Sequence, residues 1–236
     1  MRCSGHGGTT SAVTQSGKYC LAIRPDEARS GASLSVPDRR FRTMGIYLVS
    51  VASDDWDDEE VLKPTARALT AELARLKLPP LMPPQPYDFV PGSGTTFEEK
   101  LNRPMDSFST LCRTQPDGQD HTDALLGWEL LLPISLPQPL ELRVPSLHPD
   151  TTIAQSAHTV LAAARTLAGQ LALPPQIPAY CDNLNLTNWF AGTEVQRAAR
   201  THPGPWLDNL DAAFYTAVYL RAAEHSLRNA CPLHYT

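Results

Sequence analysis

The chain has 236 residues, 42% of them hydrophobic, which is enough apolar surface for one sizeable core. A net charge of −5, with no basic run longer than Arg39-Arg40, excludes a nucleic-acid footprint, because that requires Lys and Arg gathered on one face. No stretch approaches the roughly 18 apolar residues that span a bilayer, and no apolar export core stands near the N-terminus, so no membrane partner is expected and the expected location is cytoplasmic.

Residues 1–43 hold Gly, Ser, Thr, Arg and isolated apolar residues without period. Such a segment cannot bury enough surface to offset the entropy of ordering, so it reads as a disordered tail or as an extension upstream of a true start at Met44. Residues 44–236 then read as a single compact α+β domain with a small mixed or antiparallel sheet and about five helices.

The first element of that domain is a buried strand, with Ile46, Tyr47, Leu48, Val49 and Val51 in one β-rich run. After the acidic stretch DDWDDEE (54–60), the leucines and alanines at Leu62, Ala66, Leu69, Leu73 and Leu76 keep helical spacing, with Pro64 suited to the first turn. PPLMPPQPYDFVPGSG (79–94) is too stiff and too poor in amide donors for helix or strand, and reads as an irregular crossing of the surface. TTFEEKLNRPMDSFSTLCR (95–113) reads as one helix or two, capped by Thr95 or Thr96 and interrupted at Pro104.

The apolar runs Trp128 to Ile134 and Leu140 to Val144 flank a Pro-containing turn and predict a β-hairpin at the sheet edge. From 151 to 173 a stripe of Ile153, Ala157, Val160, Leu161, Ala164, Leu167 and Leu171 predicts a helix, and another is predicted from about 207 to 228 behind an Asp208 cap. Between them, IPAYCDNLNLTNWF (177–190) predicts a helix capped by Asp182 or Asn183 that buries Leu186, Trp189 and Phe190. The strands do not alternate regularly with helices, which favours α+β over a doubly wound sheet.

The chain carries no recognisable catalytic motif. Its five cysteines include no C-x-x-C pair, and its seven histidines include no H-E-x-x-H, so no metal and no cofactor is expected and a reducing compartment suits the thiols. Gly92-Ser93-Gly94 lacks the following GK[ST] of a phosphate-binding loop. Cys181 precedes Asp182, and Cys112 has no His nearby in sequence, so neither thiol has the surroundings of a nucleophile. No catalytic residue is assigned.

Two function classes survive. The first is a soluble, non-catalytic interaction module of inhibitor, immunity or regulatory type, binding a basic protein partner through Asp54, Asp55, Trp56, Asp57 and Asp58, with Trp56 read as exposed. The second is an enzyme or small-ligand binder with a polar and aromatic pocket made from Asp182, Asn185, Asn188, Trp189, Trp206, Asp211, Tyr215 and His225. On the last helix Arg221 and His225 lie on a largely apolar stripe, and Glu224 and Arg228 stand at ion-pair spacing. The oligomeric state stays open.

Overall fold

In the computed structural model, which describes residues 46–58, 62–86, 90–144 and 151–236, the apolar run after Met44 is a strand, β1 (Ile46–Ser50). The expected tail 1–43 lies outside the described residues. Two helices follow, α1 (Ser53–Asp57) and α2 (Lys63–Arg75), with Pro64 in the first turn of α2 as its fixed φ suits. Further along come β2 (Glu98–Leu101), α3 (Asp106–Arg113), α4 (Gly118–Leu125), β3 (Leu130–Leu132), β4 (Leu140–Leu142) and β5 (Thr152–Ser156). The remainder is mostly helical: α5 (Ala157–Leu171), α6 (Asn185–Ala191), α7 (Glu194–Thr201), a short 3-10 turn at Pro205–Leu207, α8 (Leu210–Asn229) and a final strand β6 (Leu233–Tyr235).

The six strands form one mixed sheet in the order β2-β1-β6-β3-β5-β4. The described residues thus hold eight α-helices and a larger sheet than the five helices and small sheet expected from sequence. The hairpin expectation is overturned: β5 lies between β3 and β4, parallel to the first and antiparallel to the second. β4 is nonetheless an edge strand, as its flanking prolines suggest.

Helices cover both faces of the sheet. Along β3, Leu130 and Leu132 point into a cluster with Trp56, Leu69 and Leu73 of α1 and α2, whereas Leu131 points into the larger core built around α5 and α8. All three residues of β3 are therefore buried, which explains a continuous leucine run where a half-exposed strand would alternate.

Two segments read as helical turn out to contain strands. Glu98–Leu101 has the Glu and Lys of a helix, but Phe97 and Glu99 alternate inward with period two, and the stretch pairs antiparallel with β1 in the register Leu48↔Glu99. Thr95 and Thr96 accordingly cap no helix. In the second case the stripe over 151–173 divides at Ser156: β-branched Thr152 and Ile153 belong to β5, and the Ser156 hydroxyl accepts from His158 N at 3.2 Å to begin α5. The last helix starts behind Asn209, whose side chain accepts from Ala212 N at 3.0 Å, in place of the expected Asp208.

β6 sits at the middle of the sheet, antiparallel to both β1 and β3. It alone joins the β2-β1 pair to the β3-β5-β4 group. Removing residues 233–236 is therefore expected to abolish the cooperative thermal transition followed by circular dichroism; a truncated chain that still melts cooperatively would show that β1 and β3 close on each other without it.

Candidate functional site

The richest collection of polar groups lies where β2, the stretch before α6 and the C-terminal half of α8 meet. Its anchor is Glu99, fully buried on β2. The Glu99 carboxylate accepts from Leu186 N at 2.7 Å, Thr187 N at 2.9 Å and the Thr187 hydroxyl at 2.8 Å. It thereby satisfies the unpaired amides at the start of α6, the role that sequence reasoning gave to Asp182 or Asn183. The residue just before α6, Leu184, is left-handed at φ 53° and supplies no side-chain cap. Burial raises the Glu99 carboxyl above its ordinary range, and the donors from Leu186, Thr187 and the Cys181 thiol pull it back down.

Backbone bonds hold the surrounding frame. Glu98 N donates to Cys181 O at 2.7 Å, and Leu184 N donates to Glu98 O at 3.0 Å, so 181–184 runs along the outer side of β2. Buried Asp182 then accepts from Gly94 N at 3.1 Å. Gly94 has φ 70°, and a Cβ there would fall 2.3 Å from the Tyr180 ring, so no larger residue fits between turn and ring. Tyr180 is itself half exposed and lies under the Arg228 guanidinium at 5.4 Å.

His225 completes this seam from α8. It is buried, contacts the Phe97 ring at a centroid distance of 5.7 Å, and has Asn229 Nδ2 at 3.1 Å from its Nδ1. Burial, with Arg228 adding to it, pushes its pKa down to about 4 against the opposing pull of Asp182, so the ring is neutral at physiological pH. Arg221 finds its partners in Pro178 O at 2.8 Å and Glu224 at 2.7 Å. Glu224 therefore pairs with Arg221 and, at 3.8 Å, with Arg165, and not with Arg228 as the helical spacing suggested.

The other predicted pocket residues are distributed elsewhere. Asp211 pairs with Arg103 at 2.8 Å, and the guanidinium also donates to Phe190 O at 2.9 Å while lying 5.7 and 5.5 Å from the Phe190 and Phe214 rings. Tyr215 donates to Arg103 O. Trp189 and Trp206 are both buried, 6.0 Å apart, and the Trp206 indole donates to His202 O at 3.0 Å. Asn185 accepts from Asn183 N at 3.0 Å, and Asn188 faces solvent. The structure thus brings Asp182 and His225 to one seam and places Trp189, Trp206 and Tyr215 in the aromatic core, with partly exposed Asp211 at its margin. Glu99, Gly94 and Arg103 were missed because their partners lie far away in sequence, as with Glu99 and Leu186, whereas Asn229 stands at helical spacing from His225, a signal that could have found it.

The acidic segment is also on view. Asp54, Asp55, Asp57 and Asp58 are exposed on and just after α1, whereas Trp56, read from sequence as exposed, is 8% accessible and packs into the cluster under α2. A turn of helix must send one side chain inward, and the indole is the one that gains by burial. Asp55 lies near enough to His234 to oppose the lowering of that imidazole's pKa by burial.

Thiol chemistry has little support in this geometry. Burial pushes Cys112 up to about 11 and Cys231 up to about 12, and burial together with the neighbouring Glu99 carries Cys181 well above the ordinary thiol range. Among the described residues, no group of three or more His, Cys, Asp or Glu side chains is placed to hold a metal ion, and no helix is long and apolar enough to cross a membrane. A surface groove of about 540 Å³ between α2 and β4 is lined by Ala68, Ala71, Glu72, Arg75, Glu141 and Arg143, apart from all the predicted site residues. No protein-family model, curated protein or solved structure matches the chain.

Two outcomes test this site. Glu99→Ala strands one buried and one partly buried amide at the start of α6 and is expected to lower unfolding free energy by roughly 3 kcal/mol in urea titrations, with wild-type stability ruling out the cap. For His225, the unfolded chain takes up a proton near pH 6.5 and the fold only near 4, so stability is present above 6.5 and lost as pH falls between those values, by about 3 kcal/mol. His234, also lowered, acts in the same direction. Urea midpoints measured from pH 7 to pH 4.5 should decline less steeply for His225→Gln than for the wild type.

Proposed function

We propose that this chain is a non-catalytic protein-interaction module that receives a basic partner on the acidic turn at α1. The observation that carries the reading is the exposure of four carboxylates, Asp54, Asp55, Asp57 and Asp58, on a turn pinned from below by buried Trp56. Exposed charge on a fixed turn attracts an oppositely charged surface at long range and orients it on arrival. Other acids support the same reading from the other side: buried Glu99 holds the start of α6, buried Asp182 holds Gly94 and half-buried Asp211 holds Arg103, so each has a structural duty. Unpaired buried Cys112, Cys181 and Cys231 accord with a reducing, cytoplasmic setting.

A second reading places a small polar ligand beside this seam on the outer face of Tyr180, and the 49% exposure of that ring favours it. Amide NMR signals of Gly94 and His225 that move on addition of small polar compounds would support this reading. An unchanged spectrum across such a collection would remove it.

For the first reading the decisive variant combines D54N, D55N, D57N and D58N. Proteins captured by the wild-type chain at low salt are expected to be basic, to release as salt rises, and to associate about ten-fold more slowly or worse with the variant, at unchanged Tm. Equal capture by both chains would sink the acidic turn as the binding surface.

A further inference from the structure

The Pro-rich stretch between α2 and β2 shows a regularity that its lack of helix or strand conceals. From Leu78 to Pro86 burial repeats every three residues: Leu78, Leu81 and Pro84 turn inward, and the other six residues are exposed. Three residues per turn is the repeat of a polyproline II helix, which also needs no internal hydrogen bonds, and none joins residues within 79–86. Five of these eight residues are proline, each with φ already fixed near the required value.

One edge of this ridge is fastened. Leu78 and Leu81 pack against the core cluster under α2, and Leu78 N donates to Leu73 O at 2.9 Å behind left-handed Lys77. The other two edges face solvent, one with Pro80, Pro83 and Pro86, the other with Pro79, Met82 and Gln85. Met82 is 70% exposed, an unusual position for a long apolar side chain with no neighbour to cover it.

We propose that residues 77–86 form a docking ridge for a polyproline-reading domain of the SH3 type, whose aromatic-lined groove ends in a carboxylate pocket. Such grooves accept two successive pairs of a variable residue and a proline, here Pro79-Pro80 and Met82-Pro83, while the residue between the pairs points away. Leu81 is that spacer, and it is the residue turned into this chain's own core. The partner therefore meets the two free edges and the anchored edge never obstructs it. Exposed Lys77 stands three residues before Pro80, at the end of the ridge where a carboxylate in the partner would meet it. Because the ridge is fixed before binding, little conformational entropy is lost on docking. This surface is independent of the acidic turn, and either can fail without the other.

The test titrates the intact chain into isotope-labelled SH3 domains selected for a carboxylate-lined groove end, with a WW and an EVH1 domain alongside, following amide shifts. The expected result is saturable shifts confined to the aromatic groove of at least one SH3 domain, weakened about ten-fold or more by Pro80→Ala with Pro83→Ala, and weakened also by Lys77→Glu. The proline positions are exposed, and thermal melts check that both variants fold; should the proline variant melt early, the Lys77→Glu comparison decides alone. Absence of shifts in every SH3 domain, binding by the WW or EVH1 domain only, or equal binding by the folded variants would overturn the proposal.

Discussion

A single buried carboxylate sets the arrangement of the polar end of this molecule. Glu99 projects from β2 into the first turn of α6, where two backbone amides and a hydroxyl converge on it. Neither side stands well alone. A buried charge without donors is costly by several kcal/mol, and a helix start without an acceptor leaves orphaned amides. Joined, they bring together elements 87 residues apart and fix the path of 181–184 against β2. Asp182 then reaches Gly94, Gly94 receives Tyr180, and α8 closes the seam with His225 and Asn229.

The same economy runs through the other charged residues of the interior. Arg103 serves Asp211, the carbonyl of Phe190 and two aromatic faces at once, and Arg221 serves Pro178 O and Glu224. Each of these half-buried guanidinium groups is held by more than one partner, which offsets the cost of taking it out of water. These charged side chains are tied into the fold, whereas the carboxylates on and just after α1 and six residues of the stretch 79–86 are exposed.

How much of this could be read from the sequence depended on the range of the forces involved. The helical stripe from Ala157 to Leu171, the strand after Met44 and the proline-led start of α2 are local patterns, and each was legible. Glu98–Leu101 was not, because its helix-favouring composition gives way to pairing with β1, a partner about 50 residues earlier in the register Leu48↔Glu99. The Leu130–Leu142 region misled in the same way, since nothing near it in the chain announces that β5 will enter between its two strands. At the candidate site, the residue types at Asp182 and His225 were visible as polar groups in apolar company. Their partners were not, for Gly94 and Glu99 are supplied by a distant turn and strand. Trp56 failed for a simpler reason: flanking aspartates made an inward-facing indole look exposed.

The position of β6 bears on how the chain must come together during synthesis. The two groups of strands it joins are both made well before it, so a nascent chain carries two unfinished sheet edges, at β1 and at β3, until Leu233–Tyr235 emerges. Open edges of this kind recruit one another in a crowded solution. A molecule built this way completes its sheet after translation of its last strand, and its exposure to misassembly is concentrated in the interval before that strand arrives.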